Sequence, residues 1–528
     1  MFKSIDERIK NSEIFKFEFL NFLKKNQKYF ISCFIIGILI LLAEITNNTY
    51  YFEDYGSEGN SWNSEKTRWL LRAIMRLFGP YGFAPSLYMM FTIFLSSLII
   101  FYLAKIWNIK KTIHKVTMFG IFLSNPFFIT RLDYDIDGKV WYVLAQLLVV
   151  FSIYYSNSKK WHHTFFSVVF IFCVWAIYPV PVNAYISISL FSLFLNIVLN
   201  KFSKKNIKKY FLKFSKQLFI FLIGTFFYLI SVKLFVKIDS WSQNRYKTKI
   251  PNFTELIEKL KLFFEQFSTL YFKAHIMYPL GLKLILVALL TISIFLTINY
   301  CLENEKQKKY VLLKIISAIT ILFLGLISYQ SSSLIMDGFL SDFHTLAEVG
   351  FGYVFIIVII FVLGNKPIKK ISISVASILI FGLGLLANNY FQYRSNENKF
   401  DYMMTSRIFS RIENHQEYNP KKNEKYTVFF WGTPEVGLPN DLDFQNKFRA
   451  DKLINPRGKS IYTHVWTQTL PLKRYDHIRY NTTGVYDEEM TLKIVKYISG
   501  MKKWPQKEFI KFINDENLII LKMGDYSL

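Results

Sequence analysis

Cysteine is scarce in this chain. The three that occur in 528 residues, Cys33, Cys173 and Cys301, lie within or at the ends of apolar runs. None can pair inside a polar domain, so the sequence indicates no disulfide framework in any redox compartment. A glycine-rich phosphate loop is absent, and so is a soluble nucleotide-binding region. There is no glycine-turned calcium loop, and no His or Cys stands at metal-ligand spacing. No internal repeat and no low-complexity linker interrupts the chain. A cleavable leader is not expected either: a long polar stretch precedes the first apolar run, and Leu41-Leu42-Ala43-Glu44 makes a poor cleavage site.

Charge is missing from long stretches. Phe83–Ala104, Val116–Thr130 and Ile371–Tyr393 contain no Asp, Glu, Lys or Arg, and neither does Thr164–Asn200. A helix needs about 20 apolar residues to cross a hydrocarbon core. A buried soluble helix has no reason to be apolar on every face, so these runs exclude a large soluble core. They indicate a mostly α, polytopic membrane protein. The reading gives about eleven spans, near 29–46, 83–104, 114–130, 140–157, 164–179, 181–200, 217–236, 282–302, 314–332, 349–365 and 371–390. Tyr178-Pro179-Val180-Pro181 divides the longest uncharged stretch, because proline breaks the backbone ladder. The third span is short, so tilting or re-entry is expected there.

Acid is also in short supply: 38 Asp and Glu face 64 Lys and Arg, a formal net charge of +26. A basic balance of this size suits nucleic acid, but the lysines sit in short loops between apolar runs. With the N-terminus in the cytoplasm, the inner loops hold Lys105 to Lys115, Lys159 and Lys160, Lys201 to Lys209, Lys306 to Lys309, and Lys366 to Lys370. Each is basic, as the positive-inside rule requires, so the pattern reads as membrane orientation and no nucleic-acid partner is expected. The odd span count puts the C-terminus outside. Expected units are a cytoplasmic segment 1–28, a transmembrane unit 29–390, and a small extracytoplasmic α/β domain 391–528. In the last, Tyr426–Trp431 and Leu518–Lys522 read as strands and Glu488–Ile498 as a helix. An amphipathic stretch near Phe253–Tyr271 suits the bilayer surface. His162-His163 falls on the inner side and reads as an interfacial pair.

Polar chemistry gathers on the outer side. Glu53-Asp54 follows the first span among Tyr50, Tyr51, Phe52 and Tyr55. A carboxylate there can take the proton of a sugar hydroxyl as a new bond forms; two loop acids can equally serve only to stay solvated. An inverting transfer needs one such base on the face opposite the leaving group. Asp133, Asp135 and Asp137 alternate, a spacing open to a divalent cation, to sugar hydroxyls or to water. The loop at Ser331–Glu348 adds Asp337, Asp342, His344 and Glu348. Arg68, Arg72 and Arg76 recur every four residues on one helical face. A guanidinium grips phosphate with two parallel hydrogen bonds, and lipid headgroups are the alternative partner. Arg68, beside Trp69, is the preferred substrate contact.

Together these features resemble the GT-C membrane glycosyltransferases, and within them the Gtr-type, type II glucosyltransferases of serotype conversion. The likeness rests on Tyr51-Phe52-Glu53-Asp54, on Thr67-Arg68-Trp69-Leu70, on Asn125-Pro126-Phe127-Phe128-Ile129 leading to Tyr134-Asp135-Ile136-Asp137-Gly138, and on Ala176-Ile177-Tyr178-Pro179. The tail fits as well, with Asn388-Asn389-Tyr390-Phe391-Gln392-Tyr393-Arg394 before Arg407, Arg411 and Trp431-Gly432. Two positions depart from the pattern. The family more often has two aspartates where this chain has Glu53-Asp54, and often Gln where it has Pro179.

The resemblance implies a sugar, with glucose as the implied one, moving from a polyprenyl-phosphate donor to a surface polysaccharide such as O antigen, outside the membrane. It implies Asp54 and Glu53 as catalytic acids and Arg68, Asp135, Asp137 and Tyr178 as substrate contacts. Membrane lipid, a sugar-lipid flippase and a polyprenyl-phosphate glucosyltransferase would be its partners. No cofactor is demanded, and a divalent cation stays open. A flippase of lipid-linked sugars and a polysaccharide polymerase are the competing readings. A transporter would place ionisable groups in mid-span and show paired repeats, and neither is evident.

Overall fold

The computed structural model describes residues 21–47, 69–78, 85–134, 136–235, 252, 254–261, 264, 278–305, 308–329, 346–419, 426–432, 480–484 and 488–525. Within them the chain is mostly helical. The first apolar run forms α1 (Gln27–Ile40) and, after a break at Leu41, α2 (Leu42–Asn47). Then come α3 (Trp69–Phe78) and α4 (Pro85–Ile106). The third expected span is two helices, α5 (Thr112–Leu123) and α6 (Pro126–Tyr134). Pro126 lacks an N–H and pushes Asn125 out of helical geometry, so α5 must stop. The Asn125 side chain then caps the new start by accepting from the Phe127 N–H at 3.1 Å. The segment Arg131–Lys139, expected as a loop, is largely helical: Asp133 lies in the last turn of α6 and Asp137 in the first turn of α7 (Ile136–Ser156).

Next are α8 (Trp161–Ile177) and α9 (Val182–Leu199), split at the Pro-Val-Pro turn as the prolines dictate. The tenth helix, α10 (Lys204–Phe235), begins well before the span expected at 217. Its lysine-rich start is helical because Ile207, Tyr210 and Phe214 pack onto the bundle core while the lysines point away. Then α11 (Leu280–Asn304), α12 (Lys308–Ile327) and α13 (Val349–Leu363) complete the core. Among the described residues, six helices are long and apolar enough to cross a membrane, and five of the apolar helices are shorter, at 10–17 residues. Of the amphipathic stretch, residues 254–261 are helical. That helix opens with a reciprocal cap between Asn252 and Glu255, whose side chains each accept from the other's backbone N–H, at 2.8 and 3.0 Å.

One end of the bundle is clamped by lysine. Lys314 Nζ lies 3.6 Å from Glu305 and donates to the Asn200 carbonyl at 2.9 Å, while Glu305 also accepts from the Phe202 N–H. Lys216 donates to the Ser156 and Ser158 carbonyls, at 3.0 Å each, closing the turn between α7 and α8.

The last helix, α14 (Lys366–Glu413), has 48 residues. It starts at an Asn365 cap with proline in its first turn and runs unbroken past position 390, where the sequence reading ends the transmembrane unit. At about 1.5 Å per residue it is roughly 70 Å long, more than twice a hydrocarbon core. Its far half continues because Met404, Ile408 and Ile412, spaced every four residues, bury one face against a sheet. That sheet has strands β1 (Tyr426–Trp431), β2 (Tyr480–Gly484), β3 (Ile510–Ile513) and β4 (Leu518–Lys522), in the order β2-β1-β4-β3. The first three in that order are parallel, and β3 is antiparallel at the edge. On the opposite face α15 (Glu488–Ile498) lays Ile494 and Ile498 against Phe429, Trp431 and Ile520. The strands at β1 and β4 and the helix α15 carry the bounds read from their apolar patterns. The short β2, of mixed polarity, has no apolar pattern that marks it in the sequence.

Candidate functional site

Several candidate residues fall outside the described residues. They are Glu53, Asp54, Arg68 and Asp135, with Asp337, Asp342 and His344. Arg72 and Arg76 stand on α3, and Asp133 and Asp137 on α6 and α7. The neighbour of Arg68 is more telling. Trp69 Nε1 donates to Ser231 Oγ at 3.1 Å in the last turn of α10, and its ring lies 5.8 Å from that of Phe172 on α8. With Leu71 buried beside it, α3 is pinned at the end of the bundle where α8 and α10 finish. Arg68 immediately precedes that anchor.

The same end holds a buried polar core. Arg131, on α6, is fully buried, an uncommon state for a guanidinium. It lies between two aromatic faces, its Cζ 4.7 Å from the centre of the Tyr142 ring and 4.3 Å from that of Tyr178. These contacts supply the ring-face attraction that arginine gains when dry, up to about 2 kcal/mol each. The two tyrosines meet edge to face at 5.3 Å. Tyr142 donates its hydroxyl to Glu348 Oε1 at 2.5 Å, and Gln146, one turn further along α7, donates to Glu348 Oε2 at 3.0 Å. Glu348 is buried at the head of α13, where a carboxylate meets the positive end of the helix. Arg131 attracts it as well. Both oxygens of the acid are therefore engaged.

The polar core continues along α6. Phe127, one turn before Arg131 and on the same face, meets Tyr278 edge-on at 6.4 Å. Tyr278 lies 6.0 Å from Tyr353 on α13, and the buried Lys283 on α11 stands 5.4 Å from the Tyr278 ring centre. The break between α5 and α6 locks into this arrangement: Asn125 Nδ2 reaches the Ala347 carbonyl at 3.4 Å. A Cβ at Gly350 would sit 2.7 Å from that nitrogen, so glycine permits the close approach. Arg131, Lys283, Glu348 and a set of tyrosines thus share one end of the bundle.

Of the residues expected from sequence, Tyr178 is placed in this core, with its ring face given to Arg131. Arg131, Tyr142, Gln146 and Lys283 have no role in the sequence reading, and Glu348 appears there only as one of the polar residues of the Ser331–Glu348 segment. A signal exists for two of them. Gln146 is a lone carboxamide in an apolar helix, one turn from Tyr142, and Glu348 immediately precedes a helix of 15 residues with no charge. Among the described residues, no group of three or more His, Cys, Asp and Glu could hold a metal ion. The aspartate triplet, whose side chains fall outside those residues, is untouched by that observation.

No curated protein and no solved structure matches the chain. The sequence profile of the family described as Glucosyl transferase GtrII matches residues 42–359, more than half of the chain and from α2 nearly to the end of α13. That stretch includes Glu53, Asp54, Arg68 and the whole Arg131–Glu348 core. Sugar donor and acceptor are accordingly its substrates, and this membrane protein belongs to the GtrII glucosyltransferase family.

Proposed function

We propose that the chain transfers a sugar, glucose by family, from a polyprenyl-phosphate carrier to a cell-surface polysaccharide such as O antigen, with inversion, on the outer face of the cytoplasmic membrane. The observation that carries this reading is the buried cationic and tyrosine-lined core, lying within the family match and at the bundle end opposite the lysine clamps. A lipid-linked phosphate reaches such a site from the bilayer, so no nucleotide-binding region is required. Asp54 is the base. It takes the acceptor hydroxyl proton while that oxygen bonds to the anomeric carbon and the bond from that carbon to the phosphate oxygen breaks. The leaving phosphate carries the charge away, and Arg68 stabilises it as it forms. Asp135 and Asp137 hold sugar hydroxyls, and the tail beyond α14 is extracytoplasmic.

The test is label transfer in membranes from a panel of polyprenyl-phosphate sugars and from nucleotide sugars. Labelled polysaccharide is expected from glucosyl polyprenyl phosphate alone. Transfer from the nucleotide sugar with none from the lipid donor would overturn the reading. In the same assay Arg68→Ala should weaken donor use at least tenfold more than Arg72→Ala, and Arg68→Lys should restore only part, because lysine lacks the planar fork. Equal donor dependence in Arg68→Ala and wild type would remove this residue from the site.

Orientation has its own test. Reporter fusions at Lys205 and beyond Glu413 should be active in the cytoplasm and outside, respectively. The second position respects the continuous α14, which a fusion nearer Arg394 would cut. A cytoplasm-active reporter beyond Glu413 would rule out an odd number of spans.

A further inference from the structure

The chain leaves α1 through a break. Leu41 has φ −106° and ψ 16°, so the helical ladder fails there. Such a break strands the last carbonyls of α1 and the first N–H groups of α2. One side chain answers both. Asn388, on α14, donates through Nδ2 to the carbonyls of Leu39 at 2.9 Å and Ile40 at 3.1 Å. Through Oδ1 it accepts from the Ala43 N–H at 2.8 Å. The Gly384 carbonyl of its own helix also lies 2.9 Å from Nδ2, so its two N–H groups are shared among three acceptors and the rotamer is held. One turn beyond, Gln392 accepts from Asn47 at the end of α2, at 3.3 Å. Gly384, Asn388 and Gln392 fall four residues apart and so form one stripe on α14. The α1–α2 joint lies along that stripe, and a Cβ at Gly384 would touch Ile40 at 3.5 Å.

Only a short planar group with a donor and an acceptor can span this joint. Leucine has neither and aspartate lacks the donor. The joint matters because the acid pair lies a short way beyond it. Asp54 comes seven residues after the end of α2, and a chain of that length reaches about 25 Å at most. The direction of α2 therefore limits where the acid pair can stand. The brace comes from α14, which lies beyond the family match and also carries the C-terminal sheet.

We propose that Asn388 is a positioning residue for the transfer reaction: by splinting the α1–α2 joint it fixes the origin of the loop that bears Glu53 and Asp54. This rests on the reading that the acid pair supplies the base. A displacement of about 1 Å at a base costs on the order of 10²-fold in rate.

The experiment uses the full chain in membranes, with Asn388→Leu, Asp54→Asn and the double variant, each scored for kcat, donor KM and thermal unfolding. Asn388→Leu is expected to lower kcat by about tenfold to a hundredfold with donor KM within about twofold. In the double variant the losses should not multiply, because a misplaced base and an absent base disable the same step. A merely structural role would give multiplying losses, or a fall in unfolding temperature with kcat unchanged below it, and either overturns the proposal. Asn388→Asp keeps the volume and the acceptor for Ala43, and it carries the same test if the leucine variant does not accumulate. Slow Asp54→Asn beside wild-type Asn388→Leu refutes the splint alone. Wild-type turnover in both Asp54→Asn and Glu53→Gln refutes the acid-pair reading, and the proposal with it.

Discussion

Asp54→Asn is expected to lower turnover by on the order of 10² or more, with protein level and donor binding little changed. The substitution keeps shape and removes basicity, so it isolates proton transfer. Asp54 is preferred to Glu53 for two reasons. The second acid of the pair matches the aspartate that the family resemblance implies. A shorter side chain also has fewer rotamers, and a base requires close placement against the acceptor hydroxyl. Glu53→Gln should cost less. Asp137→Asn should chiefly raise the substrate concentration needed, as fits a hydroxyl contact in the first turn of α7. Label transfer with saturating and limiting donor separates these effects. If Glu53→Gln abolishes transfer while Asp54→Asn stays active, the roles within the pair are reversed. If all three behave as wild type, none of these acids takes part in the transfer.

The largest effect on stability should come from Glu348→Ala. The carboxylate accepts from Tyr142 and Gln146 and attracts Arg131, which is held between Tyr142 and Tyr178. Removing it takes the acceptor from two buried donors. Each donor left unsatisfied in this way costs about 1–3 kcal/mol. Tyr142→Phe removes one donor and leaves the acid bonded to Gln146, so about 1 kcal/mol is expected. Glu348→Gln keeps an acceptor oxygen and loses the charge, and it should fall between the two. Thermal unfolding in detergent ranks the three variants. A Glu348→Ala protein as stable as wild type would show that the two donors are satisfied without this acid.

Legibility in the sequence depends on how local each physical cause is. Proline acts on its immediate neighbours. The break at Tyr178–Pro181 is therefore readable directly, and the one at Pro126 only as a short, irregular span. The strands Tyr426–Trp431 and Leu518–Lys522 and the helix Glu488–Ile498 each bury one continuous apolar pattern, which is visible without knowing the partner. The early start of α10 is not readable from charge. Lysine is compatible with a helix as well as with a loop, and contact with the bundle decides between them. Length misleads in the same way at α14: apolar character ends near Tyr393, but the helix has no reason to end where the membrane does, and the sheet supports the remainder.

The site divides along the same line. Glu53, Asp54 and Arg68 stand out in the sequence as polar residues between apolar runs, and Tyr178 as part of a short motif. Arg131 heads the Arg131–Lys139 segment without a role, because nothing near it in the chain shows that it will be buried between two rings. Glu348 and Tyr142 are 206 positions apart, and Asn388 and Ala43 are 345 apart.

From the sequence alone come the membrane-embedded class, the basic side of the bundle and the family likeness. Each follows from partition of one segment between water and hydrocarbon, or from a short run of residues, and none depends on what the segment meets later. The tertiary structure alone decided which polar groups are dry and paired: the Arg131 sandwich, the Glu348 bonds and the Asn388 splint. A hydrogen bond or a ring contact requires atoms within a few ångströms of one another, and only packing brings residues so distant in the chain to that separation.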